Sequence, residues 1–495
     1  METLNTKISN ATKWSTLAEV SAKLILPIVN MILARLLTPE SFGIVTTISI
    51  IITFAEIFQD AGFQKFIIQH DFKDENDFNE SANVAFWTNL ILSLVIISVF
   101  FIFKDALAGL VGKKELGLEI VVASLSIPIF SLCSIQVANY KRNFDFKRLF
   151  WVRMITSFIP LISTVPLAFI LRNHWALLIG TVIRNFVQAL ILCISSKWRP
   201  CLKFNFSKLK SMIPFCLWTL FESITIWLSG NISIFIVTRI LGFETVGYYK
   251  TAISTVTSIL GIFSAATTAV LFSSLSRVQN NNDEFNRVFY NYQKLTSVLI
   301  IPTGVGIFLY RNLVTLILLG KKWMICADFI GIYSLALSFT TITSYFFSEL
   351  YRAKGKPKIS MVAQILYMIV LAPVIYFSSE RGFDVLCVAT SSLLIIFSLI
   401  HFILIKILFK DISVLKILTN ISQVLIPTLL MTGMSYLLQA FSTNMYWQVI
   451  SIVICIFTYF TSVILFRPLR NMIKTNPLSS ALYNKITKLF KLKKL

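Results

Sequence analysis

Two stretches of this chain match each other at an offset of about two hundred residues. ARLLTPESFGIV, from Ala34 to Val45, returns as TRILGFETVGYY, from Thr238 to Tyr249. In each copy a long apolar stretch leads into an Arg, a short acidic turn and a Gly, and another long apolar stretch follows. A duplication of this kind in a hydrophobic chain predicts two related bundles of membrane-spanning helices facing each other, the architecture of a transporter.

Composition excludes a soluble fold. Hydrophobic residues make up 56% of the 495 residues and charged ones 14%, and apolar runs of about 20 residues, each able to cross a bilayer core, recur throughout. The first 13 residues are polar, and the span after them, Trp14 to Leu37, is too long for a signal-peptide core and is expected to stay as a helix. The seven Cys are scattered without a CxxC pair, and His70, His174 and His401 lie far apart in sequence. Neither a disulfide framework nor a metal site is suggested, and no cofactor is expected.

Hydropathy gives roughly fourteen spans, near 14–37, 42–62, 80–103, 119–139, 151–171, 175–196, 211–240, 246–272, 292–311, 326–350, 359–377, 383–408, 420–440 and 446–466. The fold class expected is an all-α polytopic membrane protein, two pseudo-symmetric bundles around a central cavity. The corresponding domains are an N-terminal lobe (1–208), a C-terminal lobe (209–410), two added helices (411–466) and a basic tail (467–495).

The net charge of +22 sits in short loops between spans, which reads as topology and not as a nucleic-acid surface. One set of alternate loops carries Lys141, Arg142, Lys147 and Arg148, then Lys197 to Lys210, then Arg352 to Lys358. The opposite loops are sparse in cations, so the positive-inside rule places both termini in the cytoplasm. In the tail, Leu482, Ile486, Leu489 and Phe490 alternate with Lys485, Lys488 and Lys491, a pattern for a basic amphipathic helix on anionic lipid or for a solvated tail.

Charge inside hydrocarbon costs about 2.5–3.5 kcal/mol on insertion scales, so each such residue needs a reason. Ser15, Glu19, Lys23 and Asn30 share one face of the first span, and Ser49, Thr53, Glu56 and Asp60 share one face of the second. The second copy repeats the idea with Thr219, Glu222, Ser223, Ser229 and Ser233, then Lys250, Ser254, Thr257, Gly261, Ser264 and Thr268. These four stripes are expected to line a hydrated cavity shared by the bundles. Arg184 lies mid-span in the sixth helix, able to reach that cavity or to pair locally, and Glu349 lies near the inner end of the tenth. Arg35 and Arg239, one per copy, suit capping of helix C-termini. Pro27 aligns with Asn231, which directly follows Gly230. A bend is expected in both leading helices, either as a device for alternating access or as a static kink.

GxxxxGK[ST], HExxH and GxSxG are all absent, which removes the usual signatures of nucleotide, zinc-protease and serine-hydrolase chemistry. No loop on the sparse side exceeds about 17 residues, leaving no room there for a catalytic domain. A transporter is expected, not an enzyme.

The repeated R-[LI]-L-x-x-E-x-x-G element, with the fuller stretch from Ile32 to Gln69, YKRNFDFKRL (Tyr140 to Leu149) and HWALLIG (His174 to Gly180), resembles the polysaccharide (Wzx-type) flippases of the MATE-like MOP superfamily. The likeness covers most of the first half and the start of the second; the final third matches only in hydropathy. It implies transfer of undecaprenyl-pyrophosphate-linked oligosaccharide units, for O-antigen, capsule or exopolysaccharide, across the bacterial inner membrane. The implied partners are that lipid-linked substrate, inner-membrane lipids, and the polymerase and chain-length machinery, with no nucleic acid. Lys23, Arg184 and Lys250 are then candidate pyrophosphate contacts, and Glu19, Glu56, Asp60 and Glu222 candidates for sugar contact or ion coupling. The family's acidic residue two positions after the Asn matching Asn231 is here Ser233. A MATE-type drug antiporter, a lipid II flippase, and a membrane polymerase or glycosyltransferase are the alternatives. The last is disfavoured by the missing large outer loop.

Overall fold

A computed structural model describes residues 4–278, 281–356, 358–409 and 411–470, helical almost throughout. The proposed amphipathic tail around Leu482 lies outside the described residues.

The helices follow from local signals. α1 (Leu4–Leu36) is followed by α2 (Pro39–Asp60), whose N-cap Thr38 accepts the Ser41 N–H at 3.3 Å, with Pro39 and Glu40 in the first turn. The left-handed pair Ala61 (φ 44°) and Gly62 (φ 87°) then turns the chain into a short α3 (Phe63–Gln69). α4 (Glu75–Ile102) is capped by Asp74 and followed by α5 (Lys104–Val111), α6 (Gly117–Ser124) and α7 (Ser126–Arg142). α8 (Phe146–Ile162), capped by Asp145, continues into α9 (Thr164–Leu171) and α10 (Trp175–Ser195). α11 runs from Phe206 to Arg277 and is broken at Gly242 (φ 82°, ψ 178°). Gly242 holds the place in the second copy that Thr38 holds in the first, so two different local chemistries interrupt the two copies at the same point.

Next come α12 (Asn282–Leu309), α13 (Arg311–Leu318), α14 (Ala327–Thr340), a π-helical stretch Thr341–Tyr345 and α15 (Phe346–Ala353). α16 (Lys358–Glu380), α17 (Phe383–Leu408), α18 (Val414–Phe441) and α19 (Met445–Leu465) complete the described chain. Twelve helical stretches among the described residues are long and apolar enough to cross a membrane, one of them the 59-residue run Phe206–Ser264. The fourteen spans read from hydropathy correspond to these twelve if that run is taken as two about Gly242 and α1, which is not among the twelve, is added.

The packing divides into two compact units, Met1–Thr251 with Leu371–Leu386, and Ala252–Val370 with Cys387–Leu495. This division by packing differs from the sequence division at residue 208, because the helix from Phe206 to Thr251 packs with the first unit. In the first unit α7 is central, touching α2, α3, α4 and α10, while α1 lies along α8. Asn89 on α4 donates to the Ser134 hydroxyl at 3.1 Å, and Ser93 to Ser131 at 3.3 Å, so polar side chains inside this packing find partners on a neighbouring helix. In the second unit α12 packs on α14 and α18. Asn420 donates to Gln293 at 3.1 Å, Tyr459 to the Val298 carbonyl at 2.7 Å and Thr343 to Ser398 at 3.1 Å.

The bend expected at Gly230 and Asn231 is not a break in the backbone. The dihedrals stay helical there, and the interruption comes at Gly242. The Asn231 amide donates to the Trp227 carbonyl at 2.9 Å and Gly230 stands in open space, so nothing at that point forces the ladder apart.

Where helices cross closely, glycine is required. A Cβ on Gly180 of α10 would lie 2.0 Å from the Thr164 hydroxyl oxygen and 2.7 Å from its Cβ. Gly180→Val is therefore expected to destabilise the purified protein by about 1–3 kcal/mol, read as a lowered melting temperature in detergent. Gly230→Ala, with no neighbour within 4 Å, should leave the melting temperature unchanged or raised.

Candidate functional site

The polar stripe of α2 meets a polar stripe of α10. Ser49, Thr53 and Glu56 from α2, Ser126 from α7, and Thr181, Arg184, Asn185 and Gln188 from α10 line one cavity of about 310 Å³. Its apolar walls are Val45, Ile52, Ala123, Phe130, Leu178 and Val182. All these residues belong to the first unit, so the α2 stripe opens into a cavity built within one unit, and this is the difference from the shared cavity expected. The spacing explains the convergence: Ser49, Thr53 and Glu56 recur at helical intervals on α2, as Thr181, Arg184, Asn185 and Gln188 do on α10.

The cavity holds a carboxylate and a guanidinium whose hydrogen-bonding capacity the protein leaves open. Neither Glu56 nor Arg184 has a hydrogen-bond or ion-pair partner among the described residues, and both are only partly exposed. Toward the predicted outer end, Glu119 and His174 lie one turn before the lining residues Ala123 and Leu178 and contact each other at 3.1 Å. The pair is mostly buried, with side-chain exposures of 11% for Glu119 and 20% for His174.

The other predicted residues fall elsewhere. Asp60 turns away at the α2–α3 junction, its carboxylate facing the Gly62 and Gln64 backbone N–H groups with Lys65 and Lys141 nearby; its Oδ1 has no hydrogen-bond partner. Glu222 pairs with Lys65 at 2.9 Å, and Lys65 also reaches Ser223 at 3.4 Å. Lys23 is half-buried on α1, Pro27 lies one turn further on, and the Glu19 side chain lies outside the described residues. Lys250, half-buried in the second copy, has no hydrogen-bond or ion-pair partner among the described residues. Of the candidates whose side chains are described, Glu56 and Arg184 line this cavity together.

Sequence reasoning missed Lys65 and the amides Asn185 and Gln188. The amides were findable, since they share the Arg184 face at steps of one and four. Lys65 sits on a short helix that hydropathy reads as a loop.

A second concavity, about 690 Å³, is apolar and runs between α18 and α19, with Leu430, Ile454, Phe457 and Leu465 among its walls.

These features define a polytopic helical membrane protein with the fold of the MOP transporters. The structure of the lipid II flippase MurJ in an inward closed conformation superposes with a TM-score of 0.76 at 20% identity, covering 92% of this chain and 99% of that one. An inward-facing MATE multidrug transporter of the MOP superfamily gives 0.61 at 13% identity, covering 79% and 97%. The chain belongs to the polysaccharide biosynthesis protein family, whose model matches residues 32–328. The succinoglycan biosynthesis transport protein ExoT of Rhizobium meliloti is 22% identical over 345 residues, 70% of this chain and 69% of that protein.

A cavity wall in contact with water differs chemically from a lipid-facing helix surface. In Ser49→Cys the thiol should react with a charged methanethiosulfonate at least tenfold faster than in Leu94→Cys, whose side chain stands on the apolar, 51% exposed surface of α4. Mass spectrometry of the modified protein reads both rates.

Proposed function

We propose that this chain is a flippase that carries undecaprenyl-pyrophosphate-linked oligosaccharide units across the bacterial inner membrane by alternating access, with both termini in the cytoplasm. Membership of a polysaccharide biosynthesis family supports the substrate class. The observation that carries the reading is the unpaired Arg184 in a cavity that also presents Glu56, hydroxyls and amides.

A glycan joined to a pyrophosphate cannot cross hydrocarbon unaided, because its charges and hydroxyls would lose their water. Arg184 supplies planar donors for phosphate oxygens. Ser49, Thr53, Thr181, Asn185 and Gln188 supply the neutral donors and acceptors that sugar hydroxyls need. Lys23 and Lys250 add cations on the leading helix of the first copy and the trailing helix of the second. Glu56 then balances charge, contacts sugar or carries a coupling proton. The prenyl chain stays in lipid, and the apolar groove between α18 and α19 offers it a protein surface of matching polarity.

A drug antiporter is favoured by one observation only, the carboxylate of Glu56 in the same cavity as the aromatic Phe130. The two readings separate on Arg184, since a guanidinium in the cavity helps an anionic cargo and opposes a cationic one.

Deleting the gene should leave lipid-linked oligosaccharide on the cytoplasmic leaflet and remove the surface polymer, measured by glycan labelling of intact cells. Re-expression of Arg184→Ala at normal level should restore less than a tenth of the polymer, consistent with loss of a charge-assisted contact of about 1.5–3 kcal/mol. Arg184→Lys should restore more than Arg184→Ala. Lys23→Ala and Lys250→Ala should each lower polymer as well; unchanged polymer at normal expression would remove those two from the site.

A further inference from the structure

A polar cleft of about 760 Å³ opens at the predicted inner end of the first unit. Glu75, Asn79 and Asn83 reach it from α4, where they recur at steps of four and so share one face. Asn139, Arg142 and Asn143 reach it from the end of α7, and the segment after α10 completes the wall. The cleft is separate from the membrane cavity. Cys133, on the wall of that cavity, and Asn139 stand six residues apart on α7, about 9 Å along the axis and on different sides of the helix.

The groups that fix the walls are engaged in doing so. The Arg142 guanidinium donates to the Ile67, Ile68 and His70 carbonyls at 3.2, 3.4 and 2.6 Å and lies 4.6 Å from the Phe72 ring centroid. Arg199 donates to the Cys193 and Ile194 carbonyls. Asn83 accepts the Cys201 N–H at 2.9 Å and Trp87 donates to the Cys201 carbonyl at 2.8 Å, which ties the segment after α10 to α4. Asp74 caps α4 through the Asp77 N–H. Glu75, Asn79 and Lys197 line the same cleft with no hydrogen-bond or ion-pair partner among the described residues. Asn143 donates to the Asn139 carbonyl oxygen at 2.8 Å, which leaves the Asn139 amino group and the Asn143 carbonyl oxygen open.

The open groups point to the ligand. This is the side where the chain concentrates its cations, yet both guanidinium groups at the cleft serve backbone carbonyls. A phosphate or an anionic headgroup therefore meets one ammonium, Lys197, set against the Glu75 carboxylate. Amides and a carboxylate offer donors and acceptors together, and the Phe72 and Phe78 rings add apolar surface. That combination suits a neutral ring bearing hydroxyl groups. We propose that the cleft is a sugar-binding site, which holds neutral sugar residues of the lipid-linked unit on the cytoplasmic side before the unit enters the membrane cavity. The proposal rests on the flippase reading for its cargo and on the charge pattern for its side of the membrane.

Cys201, exposed and lining the cleft, is a native reporter of occupancy. In the purified full chain, the repeat-unit oligosaccharide cut from the host's own surface polymer should slow labelling of Cys201 by a hydrophilic maleimide at least tenfold, read by mass spectrometry. Asn79→Ala/Asn139→Ala should abolish that protection, and Glu75→Ala, the alternative where the double variant fails to fold, should weaken it at least threefold. Arg184→Ala should keep it, and inorganic pyrophosphate at the same concentration should give none. An unchanged Cys201 rate with the oligosaccharide would overturn the proposal; so would equal protection by pyrophosphate, or protection that survives the cleft variants. In cells lacking the native gene, Asn79→Ala/Asn139→Ala at normal expression should lower surface polymer at least threefold. Polymer at the wild-type level would overturn the assignment of the sugar to the cargo. Protection needs no transport, so a wild-type chain that binds the oligosaccharide yet restores no polymer fails as a flippase and not as a sugar site.

Discussion

Water is the solvent this fold has to bring into a membrane. An ionised or strongly polar side chain facing acyl chains costs kilocalories, and the first unit meets that cost in two ways. Where helices pack directly, as α4 does on α7, amides and hydroxyls pair with each other. Where they stand apart, between α2 and α10, the polar faces turn toward a common cavity and leave Glu56 and Arg184 there without partners among the described residues. The first device holds the bundle together. The second leaves binding capacity unused, and unused capacity in a membrane-embedded cavity is what a polar cargo needs.

The same constraint decides how much could be read from the amino acids. The count of crossings, the breaks at the two motif copies and the single face shared by Ser49, Thr53 and Glu56 all follow from hydropathy and helical period. What a face meets does not, because period orders residues on one helix and is silent about its neighbour. The α2 stripe faces α10 within its own unit. Asp60 shares the stripe's spacing, yet it ends at the left-handed turn of Ala61 and Gly62, where the chain redirects it to backbone N–H groups. Glu222, on the leading helix of the second copy, is engaged by Lys65 on a seven-residue helix too short for hydropathy to register. At Gly230 and Asn231, aligned with Pro27, the backbone dihedrals stay helical and the Asn231 amide bonds back to the Trp227 carbonyl.

The proposed cargo, an anionic, sugar-bearing lipid, draws on membership of a polysaccharide biosynthesis family and on a cavity that presents a guanidinium, a carboxylate, hydroxyls and amides. The most direct measurement is reconstitution of the purified chain into liposomes that contain a fluorescent pyrophosphate-linked oligosaccharide lipid. A quencher confined to the outside reports how much of that lipid has crossed. Transport predicts that the pool shielded in the inner leaflet becomes reachable with the wild-type chain and stays shielded with Arg184→Ala. A shielded pool that remains so with the wild-type chain, matching protein-free liposomes, would contradict it.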